Sequence, residues 1–85
     1  MYLNKKYVGE VNNVASNKVI EYYVVKNSKT GNYGVELVEK QHEYLESTTE
    51  WFTDDFESAV SFVTVLYKNE VSPVHLTEVL DDYIA

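Results

Sequence analysis

The chain has no cysteine and no arginine, and among its 85 residues only one proline, one tryptophan and three glycines. Without cysteine there are no disulfide staples, thiolate metal sites or cysteine nucleophiles, and a cytoplasmic protein is the simplest expectation. The missing arginine weighs against nucleic acid, because arginine makes the commonest specific base contact and cations neutralise the phosphate backbone. Seven lysines against fourteen acids leave a net charge of −7, the wrong sign for that task. The longest uncharged run, Ser58 to Tyr67, has ten residues, about half the length of a bilayer-spanning helix. Met1 to Asn17 alternates apolar and polar residues, so no signal peptide is expected. Gly9, Gly31 and Gly34 are too scattered to cradle a phosphate. The expectation is a chain with no direct nucleic-acid partner, no membrane association and no cofactor.

What is present is ordinary globular material, 45% hydrophobic and 25% charged, which is not the composition of a disordered chain. A chain of this mass buries about two-thirds of its surface on folding, enough for one small core. A single domain over residues 1–85 follows. Charge is divided unevenly: residues 1–40 carry a net +2 and residues 41–85 a net −9.

Val19 to Lys26 (VIEYYVVK) is the clearest strand, rich in β-branched and aromatic residues. Alternation places Ile20, Tyr22 and Val24 on one face and Val19, Tyr23 and Val25 on the other. Both faces are largely apolar, which predicts a central strand or one that meets a partner. Asn27 to Asn32 reads as a turn with Gly31 available for positive φ. Tyr33 to Lys40 then sends Tyr33, Val35 and Leu37 one way and Glu36 and Lys40 the other, completing a hairpin. Tyr2 to Val8 reads as an edge strand stopped by Gly9, and Asn12 to Asn17 as a polar connection. Glu43 to Phe52 is a further strand whose weak alternation leaves its register open.

Thr53 and Asp54 are natural caps, and Asp54 with Glu57 has the capping spacing for a helix running to about Asn69. Its polar stripe (Ser58, Ser61, Thr64, Lys68) is narrow, so the helix is expected to lie between the sheet and a second element. That element is a last helix with Ser72 as cap and Pro73 at its first position. Leu76, Val79, Leu80, Tyr83 and Ile84 form its apolar face, and Glu78, Asp81 and Asp82 its polar one. The fold class is therefore α+β: a three- to four-stranded antiparallel sheet followed by two helices on one face.

Val71-Ser72-Pro73-Val74-His75-Leu76 and the ending Asp81-Asp82-Tyr83-Ile84 resemble a family of small uncharacterised proteins from low-GC Gram-positive bacteria, known as a domain of unknown function. Glu21-Tyr22-Tyr23 and Tyr33-Gly34-Val35-Glu36-Leu37 resemble that family's hairpin. The likeness covers roughly residues 20–85, departs in a more apolar first helix, and finds nothing in residues 1–18. It implies a bacterial cytoplasmic setting and carries no catalytic residues. The abundance of Asn, Lys and Tyr independently suits an AT-rich genome.

Candidate chemistry is sparse. Ser72 and His75 with nearby acids suggest a nucleophile and base, but capping explains Ser72 and Pro73 together. His42 reads as a solvated loop residue. Asp54, Asp55 and Glu57 lack the glycine-containing loop of a calcium site and read as helix-capping acids. No catalytic, metal or cofactor-binding residues are assigned, and the chain is not expected to be an enzyme. The eight tyrosines are the remaining signal, since tyrosine joins apolar area to a polar tip at interfaces. Tyr23, Tyr44, Glu78, Asp81 and Asp82 are the candidate protein-contact residues. The expected function is a non-catalytic protein-interaction or regulatory module, partnered by another protein or by itself as a homodimer. The alternative is an acidic mimic that inhibits a nucleic-acid-binding protein, drawn from the −9 half.

Overall fold

The computed structural model describes residues 3–84. Four strands follow one another as an antiparallel meander in the order β1-β2-β3-β4: β1 Leu3–Asn13, β2 Lys18–Asn27, β3 Tyr33–Gln41 and β4 Tyr44–Thr53. Helix α1 spans Phe56–Lys68; a 3₁₀ turn, Pro73–His75, leads into α2, Leu76–Ile84. This is an α+β fold with both helices on one face of the sheet. Val19 to Lys26 lies in β2, a central strand flanked by β1 and β3. That position accounts for its two apolar faces.

Ile20, Tyr22, Val24, Val35 and Leu37 point toward the helices, where they meet Ala59, Phe62, Val63 and Leu66 of α1 and Leu76 and Leu80 of α2. Phe52, Phe62 and Tyr83 close one end of this core through tilted and edge-on ring contacts. At the other end the Tyr22 hydroxyl donates to the Val71 carbonyl at 2.8 Å. Burial, then the charge of Glu70, push the Tyr22 phenol up to about 12.

The first strand expected from Tyr2 begins outside the described residues at that position, and it does not stop at Gly9. It runs on to Asn13 through a bulge between Tyr7 and Gly9 that leaves Val8 and Gly9 both on the helix side, the latter opposite Tyr22. Gly9 is there for room: a Cβ would fall 2.6 Å from the Tyr67 ring. β4 has its own bulge at Phe52, which enters the core by ordinary alternation with Trp51, and there β4 runs close against β3. Gly34 is needed for that approach, because a Cβ would collide with the Glu50 carbonyl oxygen.

The α1 cap is Asp55, one residue later than Asp54, because the Thr53 hydroxyl accepts the Asp55 N–H at 3.1 Å. Asp55 in turn accepts from the Ser58 hydroxyl at 2.7 Å and its N–H at 2.8 Å, which holds the carboxyl below its ordinary range. At the other end Glu70 adopts φ +54°, its N–H bonding Tyr67 and that of Val71 bonding Leu66. This is a Schellman closure with glutamate where glycine is favoured.

Helix α1 is not enclosed between the sheet and α2. The two helices lie side by side in one layer, and the Cα envelope is only 17 Å in its thinnest dimension, consistent with two layers about 10 Å apart. The broad apolar surface of α1 is spent sideways: Tyr67 lies over Gly9 and Tyr22, Phe56 meets Tyr33 edge-on at 5.4 Å, and Val65 remains half-exposed. Ser72 precedes the 3₁₀ turn but makes no side-chain cap bond, so Pro73 alone fulfils its expected role.

Candidate functional site

Because both helices occupy one face, among the described residues nothing covers the other. Strand register arranges that open face in three rows. Lys5, Val25, Gly34 and Trp51 form the first, Tyr7, Tyr23, Glu36 and Thr49 the second, and Glu10, Glu21, Val38 and Ser47 the third. Leu45 extends it beside Lys40. Tyr7, Leu45 and Trp51 are 52, 63 and 37% exposed, an aromatic and aliphatic set on a face that otherwise presents charge.

Among the described residues two ion pairs lie within the face, and Glu10 meets only the Tyr7 hydroxyl. Lys5 Nζ lies 2.8 Å from Glu36 Oε1 and 5.1 Å from the centre of the Tyr23 ring. Glu36 is only 8% exposed, and its buried Oε1 accepts no well-directed hydrogen bond, so this ion pair is its compensation. Glu21 accepts from the Tyr23 hydroxyl at 2.8 Å and from Lys40 at 3.1 Å. Burial pushes the Glu21 carboxyl up, but those bonds and the Lys40 and Lys5 charges outweigh it and hold the group below its ordinary value. The bond to Glu21, then burial, lift the Tyr23 phenol to about 12. Tyr7 meets Tyr23 edge-on at 5.7 Å and donates to Glu10 at 3.3 Å. Tyr7 and Tyr23 are held by these contacts, and Trp51 stands on the same face two strands away from Tyr23.

The sequence-derived contact residues do not gather in one place. Tyr23 is partly buried in the middle of the open face. Tyr44 is exposed on the helix side of β4, where it donates to Glu46 at 3.0 Å; that bond and the Glu46 charge raise its phenol. Glu78, Asp81 and Asp82 are exposed on α2, also on the helix side. Tyr7, Leu45 and Trp51 were missed by sequence reasoning. The signal for the latter two was the parity of Leu45, Ser47, Thr49 and Trp51, masked by the polar residues that separate the two apolar ones.

Two shallow clefts lie away from the open face. One, of about 430 Å³, is lined by Glu10, Val11, Asn12, Tyr67, Lys68 and Glu70. The other, of about 260 Å³, is lined by Glu39, Glu46, Thr48, Pro73 and Val74. His75 is exposed with Nδ1 3.5 Å from Glu78, and His42 occupies a two-residue turn at φ +55°. Among the described residues no three His, Asp or Glu side chains gather to hold a metal ion, and no helix is long and apolar enough to cross a membrane.

The fold defines a two-layer α+β domain, a four-stranded meander with one helix-covered face and one open face. Residues 3–85 match the family described as DUF6514, a family of unknown function, and the chain belongs to it. No curated protein and no solved structure matches.

Proposed function

We propose that this chain is a non-catalytic protein-binding module, regulatory in role, that docks through the open face of its sheet around Tyr7, Tyr23 and Trp51. The observation that supports this reading is the combination of exposed aromatic area with the Lys5–Glu36 and Lys40–Glu21 pairs inside the face. Such pairs can be covered without stranding a charge away from water, the main cost of burying a polar patch. Aromatic side chains held rigid also lose little entropy when they make contact. The partner is another protein or a second copy of the chain. A cytoplasmic setting in a low-GC Gram-positive bacterium fits the cysteine-free, lysine- and asparagine-rich composition.

The test compares wild type with Tyr7→Ser and Leu45→Ser in quantitative affinity capture from the encoding organism. Sedimentation equilibrium of each protein follows self-association. Loss of the same captured protein, or of the dimer, in both variants is the expected result. Unchanged capture and unchanged mass would overturn the reading.

A second reading, the acidic mimic of nucleic acid, draws on Glu46, Glu50, Glu78, Asp81 and Asp82, all on the helix side or on α2. It requires a basic partner whose capture collapses between low and high salt. Capture insensitive to salt counts against it.

A further inference from the structure

An open sheet face of ten-residue strands measures roughly 33 by 19 Å, or roughly 600 Å². A standard interface buries about 800 Å² on each partner. The face alone suits a small interface; a partner that also takes an edge of the sheet buries more, and the two edges differ.

Edge strands invite pairing unless lysines, prolines or bulges blunt them. β1 is blunted by Lys5 and Lys6 and by the bulge between Tyr7 and Gly9. β4 contains no lysine and no proline, and it pairs with β3 in unbroken register from Tyr44 to Trp51. Among the described residues nothing pairs with its outer side. β4 therefore offers eight residues of edge in unbroken register, without lysine or proline, ahead of the bulge at Phe52.

The two sides of that edge differ in chemistry. Glu46, Thr48 and Glu50 point to the helix side, while Leu45, Ser47, Thr49 and Trp51 point to the open face. Among the described residues neither Glu46 nor Glu50 lies within ion-pair distance of a lysine, whereas Glu39 is paired with Lys18 at 3.1 Å. The 260 Å³ cleft lined by Glu46, Thr48 and Val74 opens beside the same edge.

We propose that β4 accepts an extended segment of another protein as a fifth strand, and that this segment alternates basic with apolar residues. Main-chain bonds to the edge supply affinity, and alternate side chains supply selection. Basic side chains of the guest meet Glu46 and Glu50, about 13 Å apart along the strand. Its apolar side chains continue the open face beside Leu45 and Trp51. A second copy of this chain fits less well, because it brings another net −7 to an acidic edge. The proposal rests on reading the chain as a protein-binding module.

The probe is an acetylated, amidated peptide, Val-Lys-Val-Thr-Val-Lys-Val, whose symmetry serves either strand direction. Its binding is followed by amide chemical shifts and hydrogen exchange. The expected result is at least tenfold slower exchange at every second amide between Tyr44 and Trp51, with a blue shift of Trp51 emission. Replacing the peptide lysines by glutamate, or methylating alternate peptide nitrogens, abolishes binding. The Glu46→Lys/Glu50→Lys variant loses the lysine peptide and gains the glutamate one, which also shows that it folds. Binding elsewhere on the surface, no binding at millimolar peptide, or dimerisation of the chain through β4 overturns the proposal. If the peptide fails while Tyr7→Ser and Leu45→Ser still lose the captured partner, edge pairing falls and open-face docking stands. If the peptide binds at β4 while those variants keep the partner, the edge stands alone.

Discussion

Replacing Lys5 by methionine isolates the energetics of the open face. The substitution keeps most of the side-chain volume and leaves Glu36, 8% exposed, without the ammonium 2.8 Å from its Oε1. Breaking a buried ion pair by removing one partner costs about 3–5 kcal/mol. The Lys5 side chain is itself 43% exposed, so water partly replaces it, and we expect less than that range, about 2–3 kcal/mol. For a domain of this size that lowers Tm by roughly 10–20 °C. Removing both charges in Lys5→Met/Glu36→Leu leaves no stranded carboxylate and is expected to return stability to within about 1 kcal/mol of wild type. Urea unfolding read by Trp51 emission and by circular dichroism measures all three variants. A loss below about 0.5 kcal/mol in Lys5→Met, or a double variant as unstable as the single, would refute the claim that this pair neutralises a buried charge.

Three further outcomes follow from local geometry. Gly34→Ala drives a methyl group into the Glu50 carbonyl oxygen and should cost about 2–3 kcal/mol as β4 is pushed from β3; Gly9→Ala, which meets only a side-chain ring, should cost less in the same urea titration. Glu70→Gly relieves a left-handed residue at the Schellman closure of α1 and should raise stability by about 0.5–1 kcal/mol, seen as a higher urea midpoint at unchanged slope. Tyr22 and Tyr23 have folded phenols raised to about 12 from the ordinary 10, so the unfolded chain loses those protons first. Their stabilisation is complete below pH 10 and is lost as pH rises through 12; Tyr22→Phe and Tyr23→Phe should each flatten that alkaline decline.

Much of the fold is written in residue alternation. The β2–β3 hairpin was legible because Ile20, Tyr22, Val24, Val35 and Leu37 are all apolar at period two, and Gly31 does take φ +78° in the turn between them. β4 was legible as a strand but not in register, since polar residues occupy both its faces, Glu46, Thr48 and Glu50 on one and Ser47 and Thr49 on the other. Gly9 looked like a terminator because its reason for being there, the Tyr67 ring 58 residues away in sequence, exists only in the folded chain. The apolar circumference of α1 suggested enclosure from above. A four-stranded sheet is instead wide enough to engage the helix flanks, leaving Val65 to solvent. Alternation set Glu36 on the face opposite Val35 and Leu37 and no more; its burial beside Lys5, which reaches it across β2, is a contact no local pattern announces.

The candidate contact residues were harder still. Tyrosine count pointed to contact surfaces, but only face assignment separates Tyr23 from Tyr44 and sets Glu78, Asp81 and Asp82 on the other side of the sheet. Tyr7, Leu45 and Trp51 gain their significance from sharing the uncovered face, which depends on where both helices lie.

The most direct test of open-face docking is the amide chemical-shift map of the isotope-labelled chain, alone and with the protein it captures. The account predicts the largest changes at Tyr7, Tyr23, Glu36, Leu45 and Trp51, with α1 and α2 nearly still. Changes confined to Glu78, Asp81, Asp82 and their neighbours on α2 would contradict it.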